Sequence, residues 1–287
     1  MRAVCIGECM VELRPAEPGR FAMGFAGDVY NTAVQLKRQA PDLEVQFLTV
    51  TGDDALSAQM RDAWRGEGVE QDLAFQGSGA PGLYLIELIE GERLFHYWRS
   101  ASPARGWFKA LTANGGLSAL AGVDLVYLSG ISLAILPEED QLPALDMLEA
   151  AKGLIGRLAF DTNLRAKLWR DLDRASLVIG RAAKLADILL PSLDDIQALG
   201  WPADDLQGEV ALTAGAAGCR LRDGGGWREL PAPAATVRDT SGAGDAFNAG
   251  YLAARLRGAA PPAAAEAGLA LAAHTVGQIG AVAPRQT

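Results

Sequence analysis

The residues best suited to chemistry cluster in one run, Asp239-Thr240-Ser241-Gly242-Ala243-Gly244-Asp245-Ala246-Phe247. There the chain turns into a helical pattern that carries a carboxylate in its first turn. Gly242 and Gly244 let the backbone approach a ligand and tolerate positive φ, so successive N–H groups, from Ala243 on, can converge on one anion at the positive end of a helix dipole. Asp245 then sits beside a phosphate, where it can take the proton of an attacking hydroxyl. The same residues also read as a plain helix start, with Thr240 or Ser241 as cap and Asp245 complementing the dipole.

Phosphoryl transfer needs an aligned nucleophile, charge stabilisation and a proton acceptor. The chain has no Gly-x-x-x-x-Gly-Lys-Ser/Thr loop and no protein-kinase motif, so phosphate handling falls to the glycine turn. A second small-residue stretch, Leu212-Thr213-Ala214-Gly215-Ala216-Ala217-Gly218, leaves a strand pattern as a backbone packed against a nucleotide would, or as an ordinary turn would. Two arginines stand near these elements. Arg165 follows a strand ending Phe160-Asp161-Thr162-Asn163, at the end of the strand where open α/β sheets bind ligands. Arg99 ends another strand, two residues after Tyr97 and so on the same face. Tyrosine can hydrogen-bond a sugar and arginine can grip a carboxylate bidentately.

Short apolar runs alternate with helical patterns and would position these groups. Ala3 to Val11, Val45 to Val50, Leu125 to Leu128, Leu158 to Phe160, Ile188 to Leu190 and Val210 to Thr213 read as strands. Val29 to Arg38, Ala55 to Trp64, Pro143 to Leu154 and Leu172 to Ala186 read as helices, and the Ala/Pro-rich Ala259 to Ala265 begins a last one that holds His274. The rhythm predicts one α/β domain over 1–287, a doubly wound, mostly parallel sheet with helices on both faces. Two stretches interrupt it: the irregular Leu13 to Ala26, and Leu83 to Ile89 with Arg93 to Arg99 around Glu90-Gly91-Glu92, which reads as a hairpin. Together, over about 12–27 and 82–100, they suggest a small β-sheet acting as a lid, or an antiparallel decoration without function.

At 287 residues and 49% hydrophobic content the chain can bury one large core. Its 26 basic against 35 acidic residues, a net charge of −9 with no basic run, argue against nucleic acid and anionic membrane as partners. Cys5, Cys9 and Cys219 lack metal or disulfide spacing, and the apolar stretch after Met1 ends too soon at Glu8 for a signal peptide. A cytoplasmic location is expected. Leu120 to Leu136 is too often interrupted by polar residues to span a membrane and reads as a buried strand followed by a turn.

The run from Asp239 to Asp245, continuing through Asn248-Ala249-Gly250-Tyr251-Leu252, resembles the C-terminal signature of the PfkB, or ribokinase-like, family of sugar kinases. The resemblance implies that Asp245 is the catalytic base, that Gly242, Ala243 and Gly244 form the anion hole, and that ATP and Mg²⁺ are used. Thr213, Gly215, Gly218 and Ser192, with Gly242 and Gly244, would contact the nucleotide, and Gly277 to Ala281 resembles the loop enclosing adenine. Where many members carry Asn-x-x-Glu, this chain has Ser192-Leu193-Asp194-Asp195. Asp195 would then reach the metal through water, or Ser192 and Asp195 are a helix cap. A monovalent-ion requirement near Asp239 is left open.

Ile6-Gly7-Glu8-Cys9-Met10, Gly27-Asp28-Val29-Tyr30-Asn31, Tyr97-Trp98-Arg99 and Asp161-Thr162-Asn163-Leu164-Arg165 look like the members that act on 2-keto-3-deoxygluconate. That likeness spans nearly the whole chain and implies phosphorylation of the sugar acid's 6-hydroxyl. Glu8, Gly27, Asp28, Asn31, Tyr84, Tyr97, Arg99 and Arg165 would surround the sugar, with an arginine on its carboxylate. Ala26 replaces a family glycine, and Asp28 reads equally as the cap of the next helix. A fructokinase, a ribokinase or a non-catalytic sugar-binding regulator are the alternatives. A homo-oligomer through the lid is expected, because exposed sheet surface invites a second copy.

Overall fold

A computed structural model describes residues 1–17, 19–89 and 92–282. Among them the strands are β1 (Arg2–Ile6), β2 (Met10–Pro15), β3 (Phe21–Ala26), β4 (Glu44–Thr51), β5 (Ala74–Gln76), β6 (Leu83–Ile89), β7 (Glu92–Trp98), β8 (Leu125–Ser129), β9 (Arg157–Asp161), β10 (Ile188–Leu190), β11 (Glu209–Thr213), β12 (Cys219–Asp223) and β13 (Arg228–Leu230). Nine of them form one sheet in the order β13-β12-β11-β10-β9-β8-β1-β4-β5. Pairing is parallel from β5 to β11 and antiparallel only where β12 and β13 are added. The expected doubly wound α/β fold is present.

Side-chain alternation along the strands divides the core into two layers. Val4, Ile6, Leu48, Val126, Leu128, Leu158 and Phe160 face one helical layer, which includes Glu138–Ala151 and Leu172–Leu185. Ala3, Cys5, Val45, Phe47, Leu125, Tyr127 and Ala159 face the other, with Asp28–Gln39, Ala55–Glu67, Ala243–Leu256 and Pro261–Val276. On that side Trp64 is fully buried, its ring centroid 5.1 Å from that of Phe47 and 5.9 Å from that of Tyr30. From β1 the chain first builds outward to β4 and β5, then returns to β8 and builds the other way. The reversal between β1 and β8 opens a crevice at the carboxyl ends of the strands.

The four remaining strands form a separate sheet, β3-β2-β6-β7. Leu83–Ile89 pairs antiparallel with Glu92–Trp98, as the hairpin reading expects, although Glu90 and Gly91 at its turn lie outside the described residues. The irregular stretch is itself a hairpin, with Met10 opposite Ala26 and Pro15 opposite Phe21.

Three local expectations are corrected. Ala3 to Val11 is not one strand: β1 ends at Ile6 and β2 begins in the other sheet at Met10. Burial on both sides of the break hides it from the apolar pattern. The break falls at Gly7, where a Cβ would come within 2.7 Å of the Val29 Cβ. After β8 comes the helix Gly130–Ala134, not a turn, started by a capping box between Ser129 and Ser132. The helix expected from Pro143 starts at Glu138, with acidic residues in its first turn and the proline inside it.

Candidate active site

The crevice is a cleft of ≈ 1610 Å³ between the carboxyl ends of the large sheet and one face of the small one. Strand register gathers its floor. Asp161, the last residue of β9, stands level with Ser129 of β8 and Leu190 of β10, and Ser192 bridges Thr213 at the end of β11. Leu190, Ser192, Thr213 and Asp161 all line the cleft.

The helix Ala243–Leu256 starts in this floor. Its N-cap is Gly242, at φ 71° and without a side-chain cap, so neither Thr240 nor Ser241 plays the capping role. Gly242 is required twice over: its φ favours glycine, and a Cβ would meet the Ala281 carbonyl at 2.6 Å. The Ala243 N–H is spent on the Thr240 carbonyl at 3.3 Å, while those of Gly244 and Asp245 have no backbone acceptor among the described residues. A Cβ at Gly244 would meet nothing within 4 Å. Two N–H groups without a backbone acceptor among the described residues, at a helix N-terminus that lines the cleft, fit an anion.

Asp245 lies in the first turn of that helix and lines the cleft. Asn31 Nδ2 donates to its Oδ2 at 2.8 Å. Burial, then the Asp28 carboxylate, push its carboxyl up to about 7, against the pull of Asn31 and Arg165. A group set near neutrality can hold and release a proton at physiological pH.

A polar network stands behind it. Asp28 does not cap its helix, whose N-cap is Gly27. It accepts from Ser129 Oγ and from Asn163 Nδ2, the latter at 2.8 Å. Asp161 accepts from Asn248 Nδ2 at 2.9 Å and from the Asn163 N–H at 3.0 Å. Burial, with Asp195, Asp28 and Asp245 nearby, raises the Asp161 carboxyl well above its ordinary range. Asn163 holds φ 25°, a sparsely populated conformation for a non-glycine residue. Both hydrogen bonds made by Asn163 run between the acidic floor and the start of the segment that carries Arg165.

On the small sheet, Tyr84 and Tyr97 are register partners with ring centroids 5.8 Å apart, and both line the cleft. The Tyr84 hydroxyl donates to Glu12. The Arg99 guanidinium lies 5.9 Å from the Tyr97 ring centroid and donates to Glu8. Glu8 is 1% exposed and does not line the cleft, so it stands behind Arg99 rather than against a ligand. Arg165 is exposed in the cleft, and among the described residues its Nη1 donates only to the Leu164 carbonyl. Gly27 lines the cleft, but its lack of a side chain answers a chain crossing: a Cβ would meet the Glu8 carbonyl at 2.2 Å. Ala26 simply pairs with Met10 at the end of β3.

The nucleotide candidates divide. Thr213 and Ser192 line the cleft. Gly215 and Gly218 do not, and Gly218 is glycine because a Cβ would strike the Leu230 carbonyl at 2.1 Å. Ser192 is the N-cap of Leu193–Ala198, accepting from the Asp195 N–H at 3.1 Å. Asp195 accepts from Thr162 Oγ1 at 2.7 Å and borders the cleft. The described residues hold no cluster of three or more His, Cys, Asp or Glu suited to caging a metal. Beside Asp239, where the sequence leaves room for a monovalent cation, sits the guanidinium of Arg93. Arg93, Asp161 and Ser129 escaped the sequence reading. Period-two spacing with Tyr97 and Arg99 was the signal for Arg93, and a carboxylate at a strand's carboxyl end was the signal for Asp161.

A glycine turn at a helix N-terminus with a carboxylate beside it, in the crevice of a doubly wound sheet, is an arrangement suited to phosphoryl transfer in an α/β kinase. The chain belongs to the pfkB family of carbohydrate kinases, whose model matches residues 2–287. It is 38% identical over 301 aligned positions to the 2-dehydro-3-deoxygluconokinase of Escherichia coli K12, covering 98% of this chain and 96% of that one. The Dickeya dadantii enzyme of the same name is 38% identical over 97% of this chain and 96% of its own. In fold the chain is similar to an uncharacterized sugar kinase from Pyrococcus horikoshii in complex with ATP, with TM-score 0.84 and 22% identity, covering 98% and 94% of the two chains.

Proposed function

We propose that this protein is an ATP- and Mg²⁺-dependent kinase that phosphorylates the 6-hydroxyl of 2-keto-3-deoxygluconate, giving 2-keto-3-deoxy-6-phosphogluconate. The observation that carries the chemistry is Asp245, at about 7, beside the open N–H groups of Gly244 and Asp245. Asp245 accepts the hydroxyl proton as the new O–P bond forms and the bond to the ADP oxygen breaks. Asn31 holds its carboxylate in place, and the two N–H groups receive the charge on the moving phosphoryl group. Mg²⁺ would supply further charge neutralisation, and Asp195, which borders the cleft, would hold it through water. The small sheet acts as a lid that keeps out water, the competing acceptor.

The sugar assignment is supported by the relatives named 2-dehydro-3-deoxygluconokinase, which denotes the same sugar acid, and by the cations in the cleft. Arg99 is already engaged by Glu8, so Arg165 is the arginine for the substrate carboxylate. ADP release with a panel of sugars tests this: activity on fructose or ribose far above that on the keto-deoxy acid overturns the assignment. Arg165→Ala should raise KM for the acid roughly 10–100-fold, the weight of a charge-assisted contact, with KM for ATP nearly unchanged.

The lid also supports self-association. Register puts Phe21, Met23, Leu94 and Trp98 on the sheet face opposite Tyr84 and Tyr97, all four exposed and Trp98 by 60%. A second copy covering that face would remove an apolar patch from water. Light scattering should find an oligomer that Trp98→Glu dissociates, and a wild-type monomer would sink the idea. A cytoplasmic location fits three buried free cysteines, and no helix among the described residues is long and apolar enough to cross a membrane. Fractionation of cells expressing the protein would check the location, and recovery from the periplasm or medium would refute it.

A further inference from the structure

Alternation along β7 puts Arg93, Phe95 and Tyr97 on one face, the face that lines the cleft. Arg93 lies at the opposite end of β7 from Tyr97. Its Nη1 donates to Asp239 Oδ1 and, at 2.5 Å, to Ser241 Oγ. These partners belong to the segment that leads into the glycine turn, 146 and 148 residues further along the chain. Asp239 is itself a hub. Its side chain is 3% exposed, Oδ1 also accepts the Ser241 N–H at 2.8 Å, and Oδ2 accepts the Gly280 N–H at 2.7 Å. One carboxylate therefore ties the turn before Gly242 to the loop on which Gly242 is seated.

We propose that Arg93 is a positioning residue that latches the small sheet onto the glycine turn, so that the cover of the cleft and its anion site are set together. Three features carry this. The contact crosses the cleft from the small sheet to the loop that leads into the glycine turn, rather than lying within the sheet. It is charge-assisted, and the carboxylate is almost wholly removed from water, so the pair is screened little. The carboxylate it engages has both oxygens committed to backbone N–H groups of the two loops that frame the turn. When the sheet lifts, Asp239 loses its only cationic partner among the described residues and the turn loses a constraint. Charge stabilisation at the phosphoryl site is then strongest while the cover is down, which disfavours transfer to water.

The inference rests on the kinase reading, so its test has a part that needs no substrate. Hydrogen exchange on the unliganded wild type, Arg93→Ala and Arg93→Lys reads the latch directly. In Arg93→Ala the amides of β6 and β7 and those of residues 239–242 should exchange about tenfold faster together, beyond any change in the core strands β1, β4 and β8. In turnover the same variant should lose about tenfold or more in kcat/KM. It should also release more than one ADP per sugar phosphate formed, and Arg93→Lys should recover part of both. Unchanged exchange in both segments overturns the latch. Faster exchange confined to the hairpin, with ADP and sugar phosphate still formed one to one, overturns the coupling to the anion site. A wild type inactive on every sugar would refute the kinase reading while leaving the exchange result to decide the latch.

Discussion

Asp239 and Asp245 stand six residues apart in one turn, and their surroundings drive them to opposite ends of the carboxylate range. Burial pushes Asp239 up, but the Arg93 guanidinium and the N–H groups of Gly280 and Ser241 outweigh it and hold the carboxyl well below its usual range. Burial pushes Asp245 up as well, and the neighbouring Asp28 adds to the push. Asn31 is its only side-chain donor among the described residues and Arg165 acts from a distance, so it settles at about 7. The decisive difference is donor count, since both side chains lie in the protein. An aspartate saturated with donors is a fixed anchor; one starved of them is a proton acceptor.

The sharpest way to break that contrast is to neutralise each carboxylate in turn. Asp245→Asn keeps the shape and removes the proposed base. We expect kcat to fall roughly 10²–10⁴-fold, the usual weight of general base catalysis, while ATP-analogue affinity measured by calorimetry changes by less than about threefold. Asp239→Asn leaves a neutral acceptor under Arg93 and weakens the frame of the turn. Its loss should be about tenfold, accompanied by a lower melting temperature, because it removes charge-assisted bonds rather than the proton acceptor. Equal losses in the two variants would show that both residues serve the same purpose.

Much of this contrast was legible in the sequence and part was not, for a physical reason. The glycine turn, Asp245 and Arg165 announce themselves locally, because phosphate binding at a helix N-terminus and ligand binding beyond a strand end need contiguous residue types. So do the parallel strands, whose two-sided burial yields short apolar runs. The partners that set charge are distant in sequence. Asn31 lies 214 residues from Asp245, and Ser129 lies 101 from Asp28. Arg93 looks like any strand-end arginine until the sheets are placed. The break between β1 and β2 was invisible because Gly7, Glu8 and Cys9 are all buried, so the apolar run continues through a change of sheet. Local physics names the groups proposed to react, and the tertiary fold fixes their surroundings.

The smallest expected effect is on pH dependence, and it separates the two aspartates by sign. A base must be deprotonated to act, so kcat/KM should rise with pH through about 7 and be lost below it as Asp245 takes up a proton. Stability should move the other way. The Asp245 carboxyl is raised above its ordinary 3.8, so the folded protein binds a proton that the unfolded chain releases between that value and about 7. Folding is therefore favoured below this window and progressively disfavoured as pH rises through it. Water in the cleft screens the charge, which leaves a cost of about 1–2 kcal/mol at pH 8, a shift of a few degrees in melting temperature for a chain of this size. Asp161, raised in the same direction, adds to the trend in both wild type and variant. Asp239, held low, titrates far below the window and adds no slope across it. Melting curves of wild type and Asp245→Asn between pH 5.5 and 8 isolate the Asp245 share: the variant should gain on the wild type as pH rises. Parallel curves, or a wild-type activity profile flat through pH 7, would show that Asp245 is already ionised at pH 5.5, and that its six-residue separation from Asp239 makes no difference in proton affinity over this range.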